Sequence, residues 1–195
     1  MDLMTIEAYD RTAYAITKLH ANLTPTRLYQ IAVEYFWPAK KSLDIGCGSG
    51  RDSAWLFAKG FDVIGIDASL GMLRQAASRY PQLTFSQAAL PELSGIPDAA
   101  FYNALCSAVL MHVGREALPL AAKNILRVLV EGGVLLLSVR GTSAPDQREN
   151  GKLYETITPE DMTALFEQEG AELLLYESAL EAGRNHLWHT FVFRK

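Results

Sequence analysis

Five short apolar runs, separated by segments of helical periodicity, constrain the fold of this chain more than any other feature. They cover residues 42–45, 61–66, 83–85, 100–106 and 134–139. Continuous apolar runs of this length are typical of strands buried on both faces, and helices between them indicate a parallel sheet. Because crossovers between parallel strands are right-handed, the pattern predicts a doubly wound, Rossmann-like α/β sheet in three layers.

Start and stop signals mark several of the intervening helices. Thr24-Pro25 predicts a helix over residues 25–36, and Ser69 is a plausible cap for the helix that follows the second run. The helix before the fifth run is predicted to end at Gly132-Gly133, because glycine commonly follows a helix.

Both ends of the chain differ from this central pattern. Residues 1–23 predict a helical arm, and residues 141–151 form a loop by composition. A helix over 159–170 and two strands, 172–180 and 187–193, follow that loop. The two strands predict an antiparallel hairpin at the edge of an otherwise parallel sheet, with strand order 3-2-1-4-5-7-6.

Length and composition favour one domain. A chain of 195 residues, 49% of them apolar, can bury one sizeable core. We expect a single domain over residues 1–195, with an arm or cap over 1–40 and the Rossmann-like core over 41–195.

The net charge and the two cysteines indicate which binding partners and which cellular compartment to expect. The net charge of −4 disfavours nucleic acid, which binds basic surfaces. Cys47 and Cys106 each lie in an apolar run, which is typical of a reduced intracellular protein. The first residues lack the pattern of a secretory leader, and no apolar run is long enough to span a membrane. We therefore expect a cytoplasmic protein without membrane contact, as a monomer or homodimer.

A glycine loop follows the first predicted strand. Gly46, Gly48 and Gly50 permit tight bends and let a ligand approach the main chain without meeting a Cβ atom. Their spacing is GxGxG, whereas the dinucleotide fingerprint is GxGxxG, and Ser53 stands where its third glycine belongs. The spacing disfavours NAD.

An acid ends the second predicted strand. Asp67 lies 17 residues after Gly50, at the sheet edge where a carboxylate can accept hydrogen bonds from both hydroxyls of a ribose. The loop and the acid together indicate a nucleoside ligand. The alternative is that Asp67 only caps the helix beginning near Ser69.

The chain resembles the class I S-adenosylmethionine-dependent methyltransferases over residues 40–140. The blocks that carry the resemblance are, in order, LDIGCGSGRDS, VIGIDAS, CSAVLMHV and ILRVLVEGGVLLLSV. It implies S-adenosylmethionine as the cofactor, S-adenosylhomocysteine as the product and in-line transfer of a methyl group. The few residues outside the sheet and the lack of a basic surface favour a small-molecule acceptor.

The resemblance also implies which residues hold the cofactor. The glycine loop would hold its amino-acid part, and Asp44 would orient that loop or meet the ammonium through water. The implied contacts are Asp44, Gly46, Cys47, Gly48 and Gly50 around the loop, Asp67 at the ribose, and Ala68 and Met72 beside the adenine.

One departure from the family pattern concerns the adenine amino group. Many members have an acid after strand three to receive it, whereas this chain reads Gln87-Ala88-Ala89. We expect main-chain groups of Ala88 and Ala89, or the amide of Gln87, to make that contact instead.

The segment after strand four is expected beneath the sulfonium and the acceptor. Ser107 is a predicted cofactor contact there, and the imidazole of His112 can accept a proton from a nucleophile. The alternative is that His112 only packs and hydrogen-bonds locally. No metal is implied, because neither cysteine has the spacing of a metal site.

The arm supplies further candidates. Arg27 can pair with the cofactor carboxylate, and Tyr9 and Tyr14 can line the methyl-transfer channel, which makes Tyr14 a candidate for both cofactor binding and catalysis. The alternative for both tyrosines is packing on the sheet edge. The family places acceptor contacts after strand five and in the hairpin, but a solvated loop or strand face is the favoured interpretation for each residue there. These residues are Arg140, Tyr154, Arg184, His186 and His189.

Two other functions compete with methyl transfer. An NAD(P)-dependent oxidoreductase is disfavoured by the GxGxG spacing and the terminal hairpin. A cofactor-binding protein without turnover, such as a sensor or a regulatory subunit, is compatible with the same sheet.

Overall fold

The computed structural model of the protein describes residues 1–20, 23–141, 147–181 and 186–195. Its helices are α1 (Leu3–His20), α2 (Thr26–Tyr35), α3 (Arg51–Ala58), α4 (Leu70–Arg79), α5 (Leu118–Val128) and α6 (Pro159–Glu167). Its strands are β1 (Lys41–Ile45), β2 (Asp62–Asp67), β3 (Thr84–Gln87), β4 (Phe101–Ser107), β5 (Leu129–Arg140), β6 (Gln147–Glu149), β7 (Lys152–Tyr154), β8 (Glu172–Leu180) and β9 (Leu187–Arg194).

Seven strands form the central sheet, in the order β3-β2-β1-β4-β5-β9-β8. Strands β1 to β5 pair in parallel, and β9 runs antiparallel between β5 and β8. With β8 and β9 counted as the sixth and seventh sheet strands, this is the predicted order, so the doubly wound sheet with a terminal hairpin is confirmed.

Helices cover both faces of the sheet and give three layers. On one face α5 and α6 pack through Leu118, Ile125 and Phe166 onto the strands. On the other face α2 and α3 pack through Ile31 and Leu56. Both faces are buried, as the continuous apolar runs required.

Local signals explain where the helices begin. The hydroxyl of Ser69 accepts from the main-chain N–H of Met72 at 3.1 Å, so Ser69 caps α4 as predicted. Thr158 caps α6 by accepting from Asp161, with Pro159 as the first helical residue.

The end of α5 corrects one prediction. The helix stops at Val128 rather than at Gly132-Gly133, and β5 begins at Leu129. Leu129 pairs with Phe101, and the register shifts before Val134 pairs with Asn103. The two glycines therefore mark an irregularity within the strand pair, which is another position where glycine is favoured.

The segment after β5 corrects a second prediction. The described end of the predicted loop contains β6, which pairs antiparallel with β7 directly after the loop. Asn150 and Gly151 have φ values of +53° and +84°, the backbone that a two-residue hairpin turn requires. The Asn-Gly dipeptide was the sequence signal that could have found this hairpin.

The described ranges contain no helix that combines the length and the apolar character needed to cross a membrane. The division into an arm over 1–40 and a core over 41–195 stays a prediction.

Candidate active site

The glycine loop connects β1 to α3 at the point where the strand order reverses between β1 and β4. Gly46, Gly48 and Gly50 have φ values of +70°, +56° and +80°, which side chains other than glycine rarely adopt. A Cβ atom on Gly46 would lie 2.4 Å from Cγ2 of Val109. The loop thus touches the segment after β4, in the crevice where doubly wound sheets bind ligands.

Asp67 ties the glycine loop to the start of α4. Its Oδ2 accepts from the main-chain N–H of Gly48, and its Oδ1 accepts from that of Ser69, both at 2.8 Å. Burial raises the pKa of this carboxyl. Asp67 therefore holds the turn before α4, as the capping alternative proposed, and also lies against the loop.

Asp44 lies beneath the same loop. Its side chain is buried, and the Ser53 hydroxyl donates to its Oδ2 at 2.6 Å. Loss of hydration and the nearby charge of Asp52 raise the pKa of Asp44 to about 7. Ser53, which replaces the glycine of the dinucleotide fingerprint, is thus the hydrogen-bond partner of the buried acid.

An ionic network that the sequence analysis missed fixes the start of α3. Arg51 binds both carboxylate oxygens of Asp52, and the hydroxyl of Tyr29 donates to Oδ1 of Asp52 at 2.7 Å. The ring of Tyr29 stacks on Trp55 with 4.0 Å between centroids. Adjacent opposite charges in Arg51-Asp52, directly after the glycine loop, were the available signal.

The arm helix α1 packs on α4, beside the loop. Oδ1 of Asp10 accepts from the Ser69 hydroxyl at 2.6 Å and from the main-chain N–H of Gly71 at 2.7 Å. A Cβ atom on Gly71 would lie 3.0 Å from Asp10. Asp10 could not be predicted as a site residue, because an acid on a helix surface gives no signal of a contact 59 residues away.

His112 lies in a 3₁₀ turn, Leu110–His112, after β4, and it is 3% exposed. Its Nδ1 lies 2.5 Å from the carbonyl oxygen of Leu153. Because a carbonyl only accepts, Nδ1 carries the proton and Nε2 accepts from the hydroxyl of Tyr9 at 3.2 Å. Burial lowers the pKa of His112 to about 4, so the imidazole is neutral at neutral pH.

The hairpin β6–β7 completes this side of the site. The main-chain N–H of Leu153 donates to the hydroxyl of Thr5 in α1 at 2.8 Å. Leu153 therefore uses one main-chain group to hold the arm and the other to hold His112.

Two cations lie around the Tyr9–His112 pair. Arg140, at the end of β5, binds both oxygens of Glu149 at 2.6 and 3.0 Å, and its guanidinium lies 3.8 Å from the ring centroid of Tyr154. The ammonium of Lys152 lies 4.1 Å from the ring centroid of Tyr9. Arg140 and Tyr154 were candidates from the sequence, whereas no sequence pattern pointed to Lys152 or Glu149.

The structure keeps two predicted site residues away from this group. Arg27 binds both carboxylate oxygens of Glu177 on β8 instead, with its Nη2 at 2.7 Å. Tyr14 is 63% exposed, with the ammonium of Lys18 4.9 Å from its ring centroid. The cofactor contacts predicted for Arg27 and Tyr14 stay predictions that this arrangement does not support.

The remaining predicted residues lie around the loop and the strand ends. Burial raises the pKa of the Cys47 thiol, and Met72 is buried against Ala13 and Ile16 of the arm. The predicted contacts at the ends of β2 to β4 form hydrogen bonds within the protein. Gln87 donates to the carbonyl of Ala68, Ala88 donates to that of Asp67, Ala89 accepts from Leu93, and the hydroxyl of Ser107 contacts that of Ser138.

The histidines of the terminal hairpin pair locally. Nδ1 of His186 lies 3.3 Å from Glu181, and Nδ1 of His189 lies 3.0 Å from the hydroxyl of Tyr176. Arg184 lies outside the described residues.

Residues 43–133 match the sequence model of a family described as a methyltransferase domain. A putative methyltransferase of Geobacillus is 32% identical over 112 residues, which cover 55% of this chain and 45% of the relative. A trans-aconitate 2-methyltransferase of Acidovorax is 29% identical over 164 residues, which cover 78% of this chain and 61% of the relative. The chain thus spans about half to three fifths of the length of these relatives.

Solved structures share the fold at low sequence identity. A methyltransferase from Methanosarcina mazei superposes with a TM-score of 0.76 at 22% identity, covering 89% of this chain and 98% of its own. The 1,6-didemethyltoxoflavin N1-methyltransferase of Burkholderia thailandensis gives 0.81 at 18% identity, covering 98% of this chain and 87% of its own. A [4+2]-cyclase gives 0.74 at 17% identity, covering 97% and 94%.

Proposed function

We propose that this chain is a class I S-adenosylmethionine-dependent methyltransferase that transfers a methyl group from S-adenosylmethionine to a small-molecule acceptor. The match of residues 43–133 to a methyltransferase-domain family and the seven-stranded sheet around them support the proposal. The observation that carries the proposal is a pair of carboxylates, Asp44 and Asp67, on either side of the glycine loop. Both have raised pKa values through burial, and within the described ranges neither forms an ion pair with a basic side chain. Acids in such a position suit a cationic ligand.

The residues present fit this cofactor. Each oxygen of Asp67 accepts one main-chain hydrogen bond and has a lone pair left for a ribose hydroxyl. Asp44 would face the ammonium, directly or through water, and Gly46, Gly48 and Gly50 would let the amino-acid part approach the main chain. Ala68, Met72 and the segment 87–89 would lie beside the adenine.

When bound, S-adenosylmethionine supplies the methyl group and a neutral thioether as leaving group. The protein's own residues then have to orient the acceptor in line and exclude water. The arm would exclude water, since the hydrogen bonds of Asp10 hold it against α4. Where the acceptor has a proton to lose, the hydroxyl of Tyr9 would take it while passing its own proton to the unprotonated Nε2 of His112, which it already meets.

A small molecule is the acceptor class that the surroundings support. The arm lies over the site and contacts the hairpin β6–β7, which restricts access to it. The names of two similar proteins describe methylation of trans-aconitate and of 1,6-didemethyltoxoflavin. Neither acceptor carries over directly, because the first protein is longer and the second shares only the fold.

The second candidate is cofactor binding without methyl transfer. The fold is compatible with it, because a [4+2]-cyclase shares the fold and its name describes other chemistry. An NAD(P)-dependent oxidoreductase stays disfavoured by the spacing of the glycine loop.

Two measurements test the proposal. Calorimetric titration with S-adenosylmethionine, S-adenosylhomocysteine and NAD should show binding of the first two alone. Incubation with S-adenosylmethionine and a metabolite panel should then release S-adenosylhomocysteine in an acceptor-dependent manner. Binding without any such release would favour the second candidate, and binding of NAD alone would overturn both.

A further inference from the structure

The two halves of the site carry charges of opposite sign. Around the glycine loop lie the carboxylates of Asp44 and Asp67, whereas Arg140 and Lys152 lie around His112. Tyr9 joins the halves, because it packs on the cluster of Met72, Ala13 and Ile16 beside the glycine loop and its hydroxyl lies 3.2 Å from Nε2 of His112. A cofactor carrying a sulfonium and an ammonium suits the first half, and the second half suits an anion.

The charge of Arg140 is already used within the protein. Its two terminal nitrogens bind the two oxygens of Glu149, and its planar face covers the ring of Tyr154. The Arg140–Glu149 ion pair is therefore held in place at one side of the site, and its two charges largely cancel.

The ammonium of Lys152, by contrast, is not neutralised by a carboxylate within the described residues. Among the described residues its ammonium has no hydrogen bond or close ion pair, and it faces the ring of Tyr9. Glu149 is its neighbour across the hairpin, but that carboxylate is held by Arg140. Lys152 is half-buried, and burial lowers its pKa. Three N–H donors are therefore available 4.1 Å from the aromatic ring whose hydroxyl meets His112.

We propose, on the premise of the methyl transfer proposed above, that the acceptor is a small acid whose carboxylate binds the ammonium of Lys152 beside the Tyr9–His112 pair. An ammonium that is partly removed from water gains more from a carboxylate than an exposed one does, and this selects acids over neutral or amine acceptors. Lys152 is thus a specificity-determining residue.

The test measures acceptor binding to protein saturated with S-adenosylhomocysteine. Trans-aconitate, fumarate and benzoate are compared with their methyl esters by calorimetry. We expect at least one acid to bind about tenfold or more tightly than its ester. Lys152→Met should remove that preference, and Lys152→Arg should restore most of it.

Lys59→Met is the matched control. The ammonium of Lys59 also lies over an aromatic ring, 5.7 Å from the centroid of Trp55, but beside α3 and away from His112. This variant should bind the acids as the wild type does. The proposal is overturned if Lys152→Met binds them unchanged, or if acids and esters bind alike to protein that has taken up S-adenosylhomocysteine. Failure to bind S-adenosylhomocysteine at all would instead overturn the proposed function, and this proposal with it.

Discussion

The hydroxyl of Tyr9 lies 3.2 Å from Nε2 of His112, and this contact joins the arm helix to the 3₁₀ turn after β4. The other ring nitrogen of His112 donates to Leu153, so the tautomer is fixed by the protein. The arm thus rests on the imidazole that we propose as the final proton acceptor of the site.

His112 should make turnover depend on pH in one direction only. Because burial lowers its pKa to about 4, the imidazole stays unprotonated above about pH 5. The rate at saturating substrate should therefore be level from about pH 6 to 8 and fall in more acidic solution. His112→Asn should lower that rate about a hundredfold while leaving the affinity for S-adenosylmethionine unchanged. A variant with the wild-type rate and pH profile would make His112 a packing residue.

Asp67→Ala should weaken binding of S-adenosylmethionine by roughly 1.5 to 3 kcal/mol, the range for hydrogen bonds to a charged group. Titration calorimetry measures it, with circular dichroism to check the fold. Asp62→Ala is the control, since Asp62 lies exposed at the other end of the same strand. Unchanged affinity in Asp67→Ala would mean that this carboxylate only holds the turn before α4.

Gly48→Val should abolish cofactor binding while most of the fold remains. A side chain at φ +56° costs about 1 to 2 kcal/mol, and valine would also fill the space above the loop. Gly60→Val separates the two effects, because Gly60 has φ +88° but open space around it. Both variants should lose similar stability in thermal melts. Loss of binding in Gly60→Val as well would assign the effect to backbone strain.

The arm should open and close over the cofactor. Amide hydrogen exchange of residues 5–20 should slow on adding S-adenosylhomocysteine, by more than exchange in the terminal hairpin does. Asp10→Ala removes the hydrogen bonds to Ser69 and Gly71 and should speed exchange in the free protein. Glu7→Ala, an exposed acid on the same helix, should not. Equal exchange with and without the ligand would make the arm a fixed part of the fold.

Asp44 should link cofactor binding to the release of a proton. Burial raises its pKa to about 7, whereas the unfolded value is near 3.9, so its contribution to stability falls as pH rises from about 4 to 7. An ammonium beside it favours the ionised form. Affinity for S-adenosylmethionine should therefore rise between about pH 6 and 7.5. Calorimetry in two buffers of different ionisation enthalpy measures the number of protons released on binding. Asp44→Asn should abolish that release.

The sheet and the glycine loop could be predicted because their signals are local. Strands buried on both faces have continuous apolar sequences. The positive φ values of the loop occur at Gly46, Gly48 and Gly50, where the glycines in the sequence predict such a backbone. The resemblance to class I methyltransferases rests on the same segments, and residues 43–133 match a methyltransferase-domain family.

The arm could not be predicted in the same detail, because its contacts depend on helix rotation and on distant residues. Tyr9 and Tyr14 are five positions apart, or about 140° around a helix, so they cannot face one site together. Tyr9 faces His112, and Tyr14 faces solvent. The partner of Arg27 is Glu177, 150 residues later, and no local pattern reveals such a pair.

The hairpin β6–β7 holds both the arm and the imidazole through the main chain of Leu153. Main-chain groups are the same in every residue but proline, so these two bonds do not depend on which side chains the hairpin has. Substitutions at exposed positions of the hairpin can therefore alter the chemistry presented to the acceptor while the tautomer of His112 stays the same. If His112 acts as proposed, changes at Lys152 and Tyr154, the two half-buried positions of this three-residue strand, can admit new acceptors while the imidazole keeps its place.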